Sequence, residues 1–371
     1  ENPYSLRVES DKGTNVEEFI ANATKNDLCN LKLLSEISSK VIKKNIIRHF
    51  NESEFETNII KRLPEWQNNS NDSEDRYPEY VKEIRSKFLS SDDWTSCFDD
   101  LNKFHRQYGC GMFARYKAFT WESLLDSSSL RGIESPDPTQ ISDLIGYELE
   151  REIIVENTLQ FLNSYPANNM LLYGDRGTGK SSTVKALLNE YHKKGLRIVE
   201  VSKEHISAFP DIIRILKNRS QKFIIFIDDL TFEDGETGYT SLKAILEGSL
   251  ESKPKNVLIY ATSNRRHLVK EYFHERQGLQ SGNHSEEIHA SDSIQEKLSL
   301  ADRFGITVVF SAPSQDEYLE IVDGLAERRN LEIDKEKLHS QALTWEKRHN
   351  GRSARTARQF VDWLEGHLKT K

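Results

Sequence analysis

Met170-Leu-Leu-Tyr173, running directly into Gly174-Asp-Arg-Gly-Thr-Gly-Lys-Ser181, is the stretch that decides the reading of this chain. The first four residues form an apolar run of strand length, and an amphipathic helical pattern occupies Ser182–Tyr191. Between them stands GxxxxGK[ST], in the strand–loop–helix setting that its chemistry requires. Glycines let the backbone curl so that successive N–H groups point inward at phosphate oxygens, and the following helix N-terminus adds its dipole. The candidate binding residues are therefore Gly174, Asp175, Arg176, Gly177, Thr178, Gly179, Lys180, Ser181 and Ser182. Lys180 is placed to reach β- and γ-phosphates, and the Ser181 hydroxyl to ligate Mg²⁺.

A second element follows 48 residues after Lys180, where Phe223-Ile-Ile-Phe-Ile227 ends in Asp228-Asp229. A buried strand that delivers acids at its C-terminal end fits the rule that open parallel sheets bind ligands there. Asp228 is the expected second Mg²⁺ ligand, and Asp229 the carboxylate that polarises an attacking water. Three further runs have strand length: Arg197–Val201, Val257–Ala261 and Ile306–Phe310. Helical patterns such as Ser182–Tyr191 and Ser241–Leu250 fill the spaces between runs, so the expected fold class is α/β with a five-stranded parallel sheet.

Outside that core the pattern changes. Residues 1–118 place apolar residues at three- and four-residue steps over Val16–Ile20, Leu31–Ile47 and Tyr80–Leu89, which predicts a mainly helical N-terminal domain. Trp94, Phe98, Leu101 and Phe104/His105 are expected on one helix face. Gln67-Asn-Asn-Ser-Asn-Asp-Ser-Glu-Asp75 reads as a surface loop. Residues 119–143, with Ser127-Ser-Ser129 and Ser135-Pro-Asp-Pro138, read as a strap, 144–312 as the core, and 313–371 as a lid of about three helices.

Composition bounds what such a chain does. Its 371 residues carry 51 Lys+Arg against 59 Asp+Glu, a net charge of -8, which excludes a globally basic nucleic-acid coat. Residues 1–118 hold 18 basic to 20 acidic side chains, and 119–312 hold 22 to 28, so strong non-specific DNA binding is not expected. No apolar stretch approaches the ~20 residues a membrane crossing needs, and the polar N-terminus has no signal core. Cys29, Cys97 and Cys110 form no CxxC pair, which points to reduced thiols and a cytoplasmic location.

On these residues the chain resembles the AAA+ ATPases. Besides the phosphate loop and the strand with paired acids, Ala261-Thr-Ser-Asn264 closes the next strand, and Asn264 matches the family's sensor 1. Leu300-Ala-Asp-Arg303-Phe-Gly305 precedes the last strand, where the family often carries an arginine finger that reaches the neighbouring subunit's γ-phosphate. That role falls to Arg303, the alternative being an intrachain pair with Asp302 or a nearby acid. Gly351-Arg-Ser-Ala-Arg355-Thr-Ala-Arg358 matches the sensor 2 region at the opening of the final helix. Arg352, Arg355 and Arg358 all qualify by spacing, and Arg355 is favoured. Leu144-Ile145-Gly146-Tyr147 resembles the segment whose backbone packs around adenine, which adds Ile145 and Gly146 to the binding set.

The segments Asn168–Ser182, Val199–Lys203, Thr262–His267 and Glu296–Phe304 narrow the resemblance to the bacterial AAA+ family known as domain of unknown function 815. It covers roughly residues 120–371 and implies ATP/ADP with Mg²⁺ as cofactors and a homo-oligomer completed through Arg303, while a protein partner held by residues 1–118 belongs to the first of the two readings below. Most AAA+ proteins carry Glu where Asp229 stands. One methylene less withdraws the carboxylate by about 1.5 Å, and misplacement on that scale costs ~10²-fold in rate, so slow turnover is expected. Glu233 is a candidate assistant, and Arg265 and Arg266 read as surface or interface charges. Gln277–Glu286 reads as a mobile loop near the subunit interface, with His284 and His289 in or beside it as solvated histidines. Lys203-Glu-His-Ile-Ser-Ala-Phe-Pro210 lacks the glycine of a substrate-threading loop, which disfavours an unfoldase. Two readings stay open: an ATP hydrolase that remodels or loads a partner, and a nucleotide-gated assembly module whose hydrolysis is a slow reset.

Overall fold

A computed structural model of the chain describes residues 16–49, 54–65, 77–124, 127–232, 237–247, 254–264, 302–349 and 351–370. The chain divides into two compact units, Glu1–Arg115 and Tyr116–Lys371.

The first unit is helical: α1 (Val16–Glu36), α2 (Ser39–His49), α3 (Glu54–Arg62), α4 (Glu79–Ser90), α5 (Phe98–Tyr108) and the short α6 (Met112–Arg115). The apolar run predicted over Leu31–Ile47 is divided between α1 and α2. Ser38 accounts for the break, since its hydroxyl accepts the Val41 N–H at 3.2 Å and so caps a new helix. Leu28 and Phe98 form the buried centre, with Trp94 and Leu101 packed beside them. Phe104 departs from that face and packs with Tyr80 and Tyr108, whose rings stack at 4.2 Å. Several apolar side chains of this unit, Phe19, Leu33 and Leu34 among them, are exposed.

The second unit is built on a seven-stranded sheet: β1 (Ala118–Leu124), β2 (Ser127–Ile133), β3 (Met170–Gly174), β4 (Leu196–Glu200), β5 (Lys222–Ile227), β6 (Val257–Ser263) and β7 (Ile306–Phe310). The order is β2-β1-β4-β5-β6-β3-β7, parallel throughout except for the antiparallel β1–β2 hairpin. The five predicted strands are present, but the five-strand, all-parallel count is corrected to seven in a mixed sheet. The two added strands come from the stretch read as a strap. Edge strand β2 tolerates the polar Ser127–Ser129, whereas Phe119 and Trp121 of β1 are buried in the way a paired strand requires. Gly132 completes the hairpin by leaving room for the Tyr116 ring, which any β-carbon there would strike.

Helices α7 (Glu148–Leu162), α8 (Lys180–Tyr191), α9 (Phe209–Leu216) and α10 (Thr237–Glu247) alternate with the strands. Every residue of β6 is buried, as are the last five of β5, which is why these strands read as continuous apolar runs rather than alternating ones. Ile154 and Phe161 of α7 join Val184 and Leu187 of α8, Ile224 of β5 and Val308 of β7 in one cluster. Each such fully buried side chain contributes roughly 1.5–3 kcal/mol. Beneath it, Tyr260 Oη accepts from Asn157 Nδ2 at 2.9 Å and lies 2.9 Å from Thr158 Oγ1, while Asn157 also bonds both backbone groups of Asn168. This buried polar knot fixes the approach to β3, and burial pushes the Tyr260 phenol up to about 12.

Three helices follow β7: α11 (Gln315–Arg328), α12 (Lys335–Arg348) and α13 (Ala354–Lys369). Each begins at a side-chain cap: Ser314 with Glu317 in a reciprocal box, Asp334 on the Lys337 N–H, and Ser353 on the Thr356 N–H. They share a core of Tyr318, Val322, Ala342, Phe360 and Val361, against which Ile145 and Tyr147 pack. Among the described residues no helix is long and apolar enough to cross a membrane.

Candidate functional site

The sheet order determines which residues meet. β6 lies between β5 and β3, so the C-terminal end of β6 stands between the acids that follow β5 and the glycine loop that follows β3. The loop curls through Gly174, Gly177 and Gly179, at φ of 140°, 79° and 95°, a region that side chains with a β-carbon rarely enter. Thr178 Oγ1 donates to the Asp175 carbonyl at 2.8 Å and tightens the turn, and α8 begins at Lys180.

Lys180 is 5% exposed, and its ammonium donates to the carbonyls of Gly174 (2.9 Å) and Asp175 (2.6 Å). Burial holds its pKa below the ordinary lysine range, against the pull of Asp175, Asp229 and Asp228. One residue on, Ser181 Oγ donates to Asp228 Oδ1 at 2.5 Å, joining two side chains 47 positions apart. That hydroxyl–carboxylate pair is a set of hard oxygen donors suited to Mg²⁺, which takes one or two protein oxygens and completes its shell with phosphate and water. Among the described residues no group of three or more His, Cys, Asp or Glu is arranged to hold a metal ion by itself.

Asp229 stands at φ 51°, and its carboxylate accepts from Asn264 Nδ2 at 2.6 Å. Thr262, two positions before Asn264 on β6, bonds both acids: its hydroxyl donates to Asp228 Oδ1 at 2.6 Å and accepts the Asp229 N–H at 2.9 Å. Thr262 lies inside the Ala261–Asn264 segment, where the sequence reading assigns a role to Asn264 alone. The signal that finds it is its place near the C-terminal end of β6, the end of the sheet at which the acids after β5 and the glycine loop after β3 also stand.

A cleft of about 580 Å³ opens over this arrangement. Arg176, Gly177, Gly179, Lys180, Ser181 and Ser182 line it on one side, Asp228, Asp229, Thr262 and Asn264 on another, and Arg355 and Arg358 on a third. Five predicted binding residues, Ile145, Gly146, Gly174, Asp175 and Thr178, do not line it. Gly174 lies against β7, and the Asp175 carboxylate accepts the Ala312 N–H at 2.8 Å while its own amide donates to the Phe310 carbonyl. Beside the cleft a smaller slot of about 40 Å³ is lined by Ile145, Thr178, Ile321, Leu325 and Arg358. Ile145 therefore reaches the slot, while Gly146 turns the chain at φ 74° and gives its carbonyl to Arg151. Tyr147 donates to the Ser311 carbonyl at 2.7 Å, and burial, reinforced by Glu317, raises its phenol well above the tyrosine range.

The three arginines near the last helix are not on one helix face, because α13 starts at Ala354 and Arg352 precedes its cap. Arg352 pairs with Glu346 (Nε–Oε2 2.6 Å) and reaches Gln315. Arg355 is set against the loop: its amide donates to the Gly177 carbonyl at 3.0 Å, and a β-carbon on Gly177 would come within 3.0 Å of the Arg355 Cβ. Arg303 is not brought to the cleft. Its Nε donates to Glu247 Oε1 at 2.6 Å at the end of α10, the kind of intrachain pair that is the sequence alternative to an arginine finger. Glu233, Arg265, Arg266 and the segment 277–286 with His284, together with His289, lie outside the described residues.

Comparison with known proteins adds a family. A family model described as protein of unknown function, DUF815, matches residues 114–368. The replication factor C large subunit of Staphylothermus marinus is 30% identical over 117 residues, which make up 29% of this chain and 27% of that protein. The chain thus spans about a quarter of that relative's length. Among solved structures, a point mutant of Thermotoga maritima RuvB is 16% identical, with TM-score 0.43 over 63% of this chain and 67% of that one. The Thermotoga maritima RuvB Holliday junction branch migration motor is likewise 16% identical, at TM-score 0.40 over 63% and 66%. With the family model covering more than half of its length, the chain belongs to the DUF815 family.

Proposed function

We propose that the cleft binds ATP with Mg²⁺ and hydrolyses it to ADP and phosphate, at sites completed between subunits, to remodel or load a protein partner held by the N-terminal unit. The observation that carries this reading is the 2.5 Å bond between Ser181 and Asp228 beside the buried Lys180 ammonium. A hydroxyl, a carboxylate and a cation meet at the mouth of a glycine loop, the set that phosphoryl transfer with Mg²⁺ requires. In this reading the loop amides and Lys180 hold the phosphates, and Ser181 and Asp228 hold the metal. Asp229 and Asn264 orient water, and Arg355, with Arg358 beside it, senses the nucleotide from the C-terminal helices, which act as a lid. Mg²⁺ supplies charge neutralisation on the phosphates when bound.

Arg303 acts across the interface. In one chain its guanidinium is paired with Glu247 and lines no part of the cleft, so it serves a neighbour's site once it exchanges that partner. Turnover per subunit is expected to rise with protein concentration, and Arg303→Ala to lower it by about 10³-fold at saturating concentration, the lower end of what such an arginine supplies. Steady-state phosphate release measured across a concentration series checks this. Turnover independent of concentration and untouched by Arg303→Ala rules out completion of the site by a neighbour.

One observation favours a second reading. The Asp229 carboxylate is already engaged by Asn264, and it is one methylene shorter than a glutamate. A chain that assembles on ATP and hydrolyses it only as a slow reset would show nucleotide-dependent assembly with turnover barely above background in the same series.

A further inference from the structure

Thr262 is 2% exposed and stands between the two acids. A hydroxyl carries one proton and two lone pairs. Here the proton goes to Asp228 Oδ1, the oxygen that also accepts from Ser181, and a lone pair takes the Asp229 N–H. The next amide is bound by the same residue, since the Leu230 N–H donates to the Thr262 carbonyl at 2.7 Å. Two successive amides that converge on one residue of the neighbouring strand require the chain to turn sharply as it leaves β5. That turn is the φ of 51° at Asp229. Left-handed backbone is costly for most residues that carry a β-carbon and least so for Asn and Asp.

We propose that Thr262 is the positioning residue of the acid pair: it aims Asp228 at the Mg²⁺ position and imposes the left-handed turn that selects Asp over Glu at 229. The proposal rests on the Mg²⁺–nucleotide reading of the cleft for its first half and on backbone geometry alone for its second. Thr262 lines the cleft, and its hydroxyl is committed to the two acids. It acts through Asp228 and Asp229, so it is separable from them by experiment.

The test uses the full chain and two variants, Thr262→Val, which keeps the branched shape and removes the hydroxyl, and Thr262→Ser, which keeps the hydroxyl. ADP affinity is measured by calorimetry with Mg²⁺ and with a chelator. Thr262→Val should lose about 10- to 100-fold of the Mg²⁺-dependent tightening, the range known for partners that orient a metal ligand, with chelator affinity unchanged. Thr262→Ser should restore it. A purely structural role would weaken both conditions alike, and that result, or a Thr262→Ser as defective as Thr262→Val, overturns the assignment. Amide hydrogen exchange over 228–231 in the nucleotide-free chain judges the turn separately. Exchange about tenfold faster in Thr262→Val is expected from loss of a local bond, and unchanged exchange overturns the second half. Should Thr262→Val fail to fold, Thr262→Ala replaces it in both measurements. A parent chain that binds ADP in neither condition overturns the functional reading and the Mg²⁺ half together, and exchange still decides the turn.

Discussion

Lys180→Ala should lose nucleotide affinity by about 10²-fold or more while leaving the fold as stable as before, or more so. Truncating a charged partner of phosphate removes charge-assisted hydrogen bonds that contribute about 1.5–3 kcal/mol each, and two decades of affinity correspond to ~2.8 kcal/mol. The stability side follows from burial. The Lys180 ammonium is held below the ordinary lysine range by desolvation, so the folded state bears a cost for keeping it charged. Linkage gives the sign: below the folded pKa the amine is charged in both states and the cost is fully present. It fades as pH rises through the folded value toward the unfolded one. Removing the group should therefore raise the melting temperature at neutral pH or leave it unchanged, and that advantage should shrink in alkaline buffer. Thermal melts of both proteins at neutral and alkaline pH, beside nucleotide titrations, check both halves. A variant that loses binding only because it has unfolded would contradict this expectation.

Gly174→Ala is expected to act in the opposite way, through the fold first. Gly174 ends β3 at φ 140°, and a β-carbon there would be driven into the Phe310 carbonyl on β7. That carbonyl is fixed, since it accepts the Asp175 N–H at 3.0 Å. Nothing flexible is available to yield, because the obstacle is backbone in the neighbouring strand. Backbone strain and a steric clash together place this substitution among the severe ones, about 3 kcal/mol or more. In a unit of this size, at roughly 2–4 °C per kcal/mol, the apparent melting temperature should fall by ~10 °C. Gly179→Ala provides the contrast: its φ of 95° is also left-handed, but a β-carbon there meets nothing within 4 Å, so the loss should be smaller. Equal losses at the two positions would show that the contact with Phe310 is not what Gly174 avoids.

Much of the fold was legible because the chain writes its central strands as unbroken apolar runs. Phe223–Ile227 and Val257–Ala261 are buried on both faces, and their alternation with helical stretches points to a parallel sheet covered by helices. The β1–β2 hairpin was hidden for the converse reason. Its outer strand has a solvent edge, so Ser127, Ser128 and Ser129 stand where a central strand would carry valines, and they read as a linker. The helix break at Ser38 was lost because one capping hydroxyl weighs little against the apolar periodicity on either side of it.

The site divided along the same line. Residues of the glycine loop are consecutive, so their chemistry shows in the sequence as a motif. Ser181 and Asp228 stand 47 positions apart; their pairing at one metal is an expectation from motif order, and the strand order brings them into contact. Thr262 was missed because on a fully buried strand a single threonine looks like one more β-branched core residue. The pairing of Arg303 with Glu247 joins positions 56 apart across an ordinary helix end, which carries no local signal at all. Arg352, by contrast, was separable from Arg355 once Ser353 was seen to cap the helix, and the Ser-Ala-Arg-Thr spacing contains that information.

The central claim is that the cleft beside Lys180 and Asp228 is a Mg²⁺–nucleotide site, and calorimetric titration of ATP into the intact chain tests it most directly. The expected result is saturable binding of one nucleotide per chain, tighter with Mg²⁺ than with a chelator and competed by ADP. No saturable binding, or binding that Lys180→Ala leaves undiminished, would contradict it.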